Sequence, residues 1–583
     1  SDREEWLGAV LDRGSNMQER DKNHACILLW SCGNESFGGK DLYELSQMFR
    51  RRDPSRLVHY EGVRLDPRYP DTTDVHSTMY HKPEKIEEYL QNDPVKPFIN
   101  CEYIHAMGNS CGGMSLYNAL EDKYPMYQGG FIWDYVDQGL KMKSPHGRTR
   151  MAFGGDWGDR PTDYQFIANG IVMSDRKLSP KAQEVRYLFQ LADITPAQDG
   201  VTIRSRRSYT TWDDCELKWE MLLDGMPYDS GVATLPAIEP GETVFLPQPW
   251  EVPFGEGEVS LTCRLCLKEA EGVLPAGYAL ATGQAVLSEA DAPVQDAKKA
   301  KLICGDSNFG VKTDRLQAMF GRGRGKANLN SFKDGAGREI LLRSPDLTLF
   351  RAPTDNDDGN GDSVRQGIWL AASRCHFGTG PEVDVENAAL TYRFQSPLLP
   401  DMDITLRWEV TEDALKATLI FPGVENQPDL PELGLTFQLD PRLNHVHYYG
   451  LGPDESYNDR CQGALLGVYD YAVEDGWTRY IHPQESGNRM GVRYLTVTGE
   501  DGHGIRIEQV DAPLEIEVSP WLPEELHAKW HPDELQDSCR TVLDVAAFRK
   551  GVGGDDSWGA PVHPEYTYPS NREYRLTFLI KGI

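Results

Sequence analysis

Five short apolar runs between Cys26 and Asp134 constrain this chain more than any other feature. They read CILLWS (26–31), RLVHYE (56–61), DVHSTMY (74–80), KPFINCE (96–102) and QGGFIWD (128–134). Segments of helical spacing lie between some of them, among them GKDLYELSQMFRRRD (39–53) and MSLYNALEDKY (114–124). Almost unbroken apolar strands alternating with helices suit a parallel sheet, because helices cover its faces and no strand turns a polar side to water. The pattern predicts a parallel α/β unit over residues 1–186.

The texture then changes. GVTIRSRRSYT (200–210), CELKWEMLLDG (215–225) and VSLTCRLCLKE (259–269) are strand-like runs divided by Gly, Pro and Asp turns. About a hundred residues of this kind predict an immunoglobulin-like β-sandwich over 187–295. SEADAPVQDAKKAK (288–301) has the polarity of a linker. Strand texture with aromatic, Gly-rich turns continues to the last residue and predicts a larger β-sandwich over 296–583.

A net charge of −30 repels phosphate backbones and anionic lipid, which argues against nucleic-acid and membrane partners. No run of 18 apolar residues is present, so no segment is long enough to span a bilayer as a helix. The 11 cysteines are an odd number without dense spacing and fit a reducing cytoplasm. Cys263 and Cys266, three apart in a strand, fall on opposite faces and are expected to be free thiols.

Two of the apolar runs deliver a carboxylate. WSCGNES places Glu35 just past the first run, and KPFINCE ends in Glu102. In parallel barrels the active site forms at the C-terminal strand ends. A carboxylate pair about 5 Å apart is what a retaining glycosidase needs, one as acid/base and one as nucleophile. Among 90 acidic residues such placement also arises by chance.

The surrounding wording is more specific. WSCGNES, CEYIHAMGNSCGG, GGFIWDYVDQGL, FGGDWGDRPTDYQFIANGIV, RAPTDNDDG, GLGPDESYNDR and GVGGDDSWG follow in order along almost the whole chain. Together they resemble glycoside hydrolase family 2, most closely its large bacterial β-galactosidases. The resemblance implies hydrolysis of β-galactosides such as lactose, with Glu35 as acid/base and Glu102 as nucleophile. It further implies that Asn34 holds the sugar 2-hydroxyl, Tyr80 bonds near the nucleophile, and His105 meets sugar hydroxyls. Trp133 would wall the galactose ring, and Trp558 would stack on the aglycone. A magnesium ion at Glu35 and a sodium ion held by the Phe166 carbonyl and Asn169 are also implied, both as partial sites. The remaining ligands of that pattern would lie upstream. The resemblance thus reads residues 1–186 as strands four to eight of a (β/α)8 barrel, in the C-terminal portion of a longer, homo-oligomeric enzyme. Another family 2 activity (β-glucuronidase or β-mannosidase) and a non-catalytic carbohydrate-binding fragment are the alternatives.

Other motifs carry less. Without the resemblance, Tyr80 and Trp133 read equally as barrel core and Trp558 as a turn aromatic. His445 and His447 have same-face spacing and read as a strand surface. GRGRGK (321–326) lacks the spacing and flanks of a phosphate loop.

Overall fold

The computed structural model describes residues 2–145, 147–253, 255, 257–289, 298–323 and 328–583. The end of GRGRGK, the middle of the expected linker and the expected boundary at 295/296 lie outside them.

The chain opens with helix α1 (Glu4–Asp21), then strand β1 (Leu29–Ser31), α2 (Lys40–Arg52), β2 (Leu57–His59), β3 (His76–Met79), α3 (Pro83–Gln91), β4 (Phe98–Tyr103), α4 (Met114–Lys123) and β5 (Tyr127–Ile132). β1 pairs with β2, and β3, β4 and β5 pair in that order, all parallel. The two groups are joined at Asp74, whose N–H donates to the Val58 carbonyl (2.8 Å) and whose carboxylate accepts from the Val58 N–H (2.7 Å). Apolar positions do what their spacing demands. Leu42, Leu45 and Phe49 of α2 pack with Trp30 and Val58, while Tyr117 and Leu120 of α4 pack with Phe98 and Tyr103.

Past residue 190 the structure is built from antiparallel sheets. A four-stranded and a three-stranded sheet share one apolar cluster that includes Ile203, Trp219, Leu261 and Ala281, an arrangement compatible with a sandwich. Both Cys263 and Cys266 are buried and free there, as expected. Four-, five- and nine-stranded sheets follow and share the largest cluster. His445 and His447 both face Asp470 at 3.0 Å on an exposed strand surface.

The five-stranded sheet hides a charge imbalance. Arg549, fully buried, lies 3.0 Å from Glu432 and 3.9 Å from each of Glu485, Glu517 and Asp544, while its backbone N–H donates to Glu515 (3.1 Å). Burial pushes all five carboxyls upward, Glu432 to about 8 and Glu515 to about 7, and the Arg549 charge pulls each back. The folded chain therefore holds protons that the unfolded chain would release, so stability falls as pH rises from the ordinary carboxylate range toward 8. We expect the melting temperature to drop by several degrees between about pH 5.5 and pH 8, at roughly 2–4 °C per kcal/mol. Scanning fluorimetry across that range checks this, and a flat or rising profile would contradict it.

Candidate active site

Glu35 lies four residues beyond β1, in a loop held against the end of β2. Its N–H donates to the buried carboxylate of Glu61 (2.9 Å), and the Tyr60 hydroxyl donates to the Ser36 carbonyl. A Cβ on Gly62 would lie 2.4 Å from that carbonyl, so only glycine admits the loop. The side chain of Glu35 is exposed, and its backbone sits at φ 51°, a left-handed conformation that costs energy for a non-glycine residue. Asn34 is exposed beside it.

Glu102 is set by β4 itself, near its C-terminal end. The Tyr80 hydroxyl donates to Glu102 Oε2 at 2.8 Å, and the Tyr80 N–H donates to the Glu102 carbonyl at 2.8 Å. Tyr80 too has a left-handed backbone, φ 52°. Burial pushes the Glu102 carboxyl upward, the Tyr80 hydrogen bond pulls it down, and the charges of Glu35, Glu61 and Asp134 push it up again. Glu102 thus feels the charge of Glu35. The Tyr80 phenol is likewise pushed up, first by burial and then by Glu102, and stays a neutral donor.

The C-terminal region reaches this pair through glycines. The Gly112 N–H donates to the Gly553 carbonyl (2.8 Å), and Asp459 accepts from the N–H groups of Val552 (3.1 Å) and Gly553 (2.8 Å). A Cβ on Gly112 would lie 2.0 Å from Asp459, and one on Gly554 would lie 2.7 Å from the Gly112 carbonyl. Backbone therefore docks on backbone, and CGG, YNDR and GVGG meet at one point. Tyr117 then donates to Asp555 (2.8 Å), which leads the chain to Ser557 and Trp558. The Trp558 indole is half exposed and sits edge-on to Tyr80 (4.7 Å) and His105 (5.2 Å).

His105 is buried, and burial lowers its pKa to about 4, so the ring is neutral. Ser557 Oγ donates to Asn356 (2.7 Å) and so accepts from His105 Nδ1 (2.8 Å). Nε2 is left as an acceptor. Trp133 follows β5, partly exposed, with its carbonyl accepting from the Ala106 N–H (2.8 Å). The neighbouring Asp134 N–H donates to the Asn169 carbonyl. Phe166 lies 6.1 Å from His105, ring to ring. Tyr80, Trp558, His105, Phe166 and Asn169 are thus linked to Glu102 through successive contacts and Glu35 by its charge, whereas Trp133 is tied in through its backbone and Asn34 stands exposed beside Glu35.

The implied cations fit unequally. Asn169 donates its Nδ2 to the Phe166 carbonyl (3.2 Å), while its buried Oδ1 has no hydrogen-bond partner. A bare amide oxygen beside a carbonyl suits a hard monovalent cation, as part of a shell. For magnesium the fit fails within this chain. Glu61 is turned to a backbone N–H, and among the described residues no group of three or more His, Cys, Asp or Glu is set to hold a metal.

Sequence reasoning missed Glu61 and Ser557. Glu61 was legible, since RLVHYE also ends in a carboxylate at a strand tip. Ser557 carried no signal beyond its place in GGDDSW.

Known proteins bear on this arrangement. Residues 1–194 match the family described as glycosyl hydrolases family 2, TIM barrel domain; residues 201–288 match beta-galactosidase, domain 4; residues 312–580 match beta galactosidase small chain. A beta-galactosidase of Halalkalibacterium halodurans is 40% identical over 99% of this chain and 58% of its own length. One of Streptococcus thermophilus is 36% identical over 99% and 58%, and one of Clostridium acetobutylicum 42% identical over 80% and 52%. The chain spans a little over half the length of these curated relatives. The parallel strands with their paired glutamates, three ordered family matches and relatives alike along nearly the whole chain agree: the chain belongs to glycoside hydrolase family 2.

Proposed function

We propose that this chain carries the catalytic pair of a retaining β-galactosidase. The carrying observation is Glu102 at the end of β4, oriented by Tyr80 and raised in pKa by burial and by the charge of Glu35. With Oε2 engaged by Tyr80, Oε1 is the oxygen that attacks the anomeric carbon. The carbon–glycosidic oxygen bond breaks as the new ester bond forms, and Glu35 gives its proton to the departing oxygen. Glu35 then takes a proton from water, the water oxygen attacks the same carbon, and Glu102 leaves as carboxylate. Tyr80 holds Glu102 against the upward push of burial.

The other residues bind. His105 Nε2 accepts from a sugar hydroxyl, Asn34 reaches the 2-hydroxyl, and Trp133 walls the apolar face of the ring. Phe166 and Asn169 would contribute two oxygens to a sodium ion, which would help seat the galactose. In this reading the chain divides into barrel strands (1–186), an immunoglobulin-like sandwich (187–295) and a large sandwich (296–583). The test is turnover of nitrophenyl β-galactoside against the β-glucuronide and β-mannoside, with the first-formed anomer read by NMR. The expected result is galactoside preference with β-galactose appearing first. Preference for another glycone, or α-galactose first, would overturn the reading.

Trp558 belongs to the leaving sugar in this scheme. An indole face covering one sugar contributes about 1–2 kcal/mol, so Trp558→Ala should raise the KM for lactose roughly 5- to 30-fold. The KM for a nitrophenyl galactoside should move less, and galactose inhibition hardly at all. If the melting temperature fell instead and lactose affinity held, Trp558 would be a packing residue.

A further inference from the structure

A second aromatic platform stands beside the glutamate site. Tyr164 and Trp530 are 40% and 51% exposed, with ring centres 5.7 Å apart and planes tilted by 38°. They come from distant parts of the chain, Tyr164 from the turn that also holds Phe166 and Trp530 from the segment after the short helix Pro523–His527. Exposed aromatics at a surface usually swing freely, but these are pinned. His531, next to Trp530, is stacked on Phe153 (4.4 Å, 8°) and bonded to Asp156 (3.0 Å) and Glu534 (3.1 Å). Tyr164 has the Arg160 guanidinium over its ring (5.5 Å), and its backbone is held at φ 51°. Strain of this kind in a non-glycine residue persists only where the surroundings over-determine it, and it clusters at binding sites.

The platform is continuous with the site. Rings follow one another from Tyr80 to Trp558, His105 and Phe166, and Tyr164 lies two residues from Phe166 on the same turn. Between them Gln165 donates to Asp355 (3.3 Å), and Asp355 is bonded to His482 (2.7 Å), whose ring lies 5.5 Å from Trp530. Rigid, half-exposed, flat apolar faces with a polar rim match the C–H face of a neutral pyranose. We propose that Tyr164 and Trp530 form an accessory subsite for one sugar ring of a β-linked galacto-oligosaccharide, beyond the two rings held at the glutamates. The galactoside class rests on the function proposed above, whereas the platform itself does not.

The test compares a nitrophenyl β-galactoside, lactose and a β-linked galactotetraose on the unaltered chain and on Trp530→Ala, Trp530→Phe and Tyr164→Ala. Each alanine variant should lower kcat/KM for the tetraose about 5- to 10-fold and leave the nitrophenyl substrate within about twofold. Trp530→Phe should recover part of the loss, which also guards against an alanine variant that misfolds. Titration calorimetry of the tetraose on Glu102→Gln, with and without Trp530→Ala, reads binding without turnover. If galactosides turn over and the preference for length does not respond to Trp530, the subsite is wrong and the function stands. If no galactoside turns over but the tetraose binds and Trp530→Ala weakens it, the subsite stands and the function is wrong. If Trp530→Ala dissociates an oligomer in sedimentation and leaves tetraose preference intact, the platform is covered by a second copy and the proposal falls.

Discussion

Replacing Glu102 by Gln should lower the turnover of every β-galactoside by roughly four orders of magnitude, on the order of 5.5 kcal/mol of lost transition-state stabilisation. The substitution keeps the shape of the side chain and a hydrogen-bond acceptor for Tyr80, so loss of fold is not the expected cause. In the proposed mechanism what disappears is the oxygen nucleophile. An amide does not form the covalent glycosyl ester, and the two-step path closes. Because the carboxyl is already pushed upward by burial, removing its charge should not weaken the fold. The melting temperature should hold or rise slightly while activity vanishes. A variant that kept more than about one per cent of activity would place the nucleophile elsewhere.

Glu35→Gln should give a graded loss. General acid catalysis contributes about 10²- to 10⁴-fold, and it matters in proportion to how badly the leaving oxygen needs a proton. Lactose should therefore lose close to the full amount, and an activated nitrophenyl or dinitrophenyl galactoside far less in the first step. The second step needs Glu35 as base to activate water, so a covalent intermediate should accumulate and show a burst. Azide needs no base, and it should restore turnover of the activated substrate and yield a β-galactosyl azide. Rescue of Glu102→Gln should instead give the α-azide by a single inversion, and a β-azide from that variant would reverse the two roles. The exposed position of Glu35 on a loop that Glu61 and Gly62 hold is what gives azide a path to it.

Much of the scaffold was legible because its signals are local. The run 96–102 predicted β4 at Phe98–Tyr103, and GKDLYELSQMFRRRD predicted α2 almost to the residue. The first run is longer than the strand it forms. CILLWS yields only Leu29–Ser31 as strand, and Leu28 is 74% exposed, because among the described residues β1 has a strand partner on one side alone. An apolar run marks where a strand can be buried, while its length depends on the neighbours that bury it.

The sequence by itself determined the succession of apolar strands and helices along the chain, the two carboxylates at or just past strand ends and the glycine-rich words that surround them. Those follow from periodicity, turn chemistry and a resemblance spread over the whole chain. The tertiary structure alone decided which of these words meet. His105 and Ser557 are 452 residues apart in the chain and 2.8 Å apart in space. Nothing in either local pattern reports that distance. It is set where Gly112 and Gly553 let two backbones touch and Asp459 ties both, and only that docking brings Trp558, a turn aromatic in its own sequence, against Tyr80 and His105. The same holds for pKa: a glutamate at a strand tip is an ordinary acid until packing removes its water and brings other charges beside it, as packing does for Glu102.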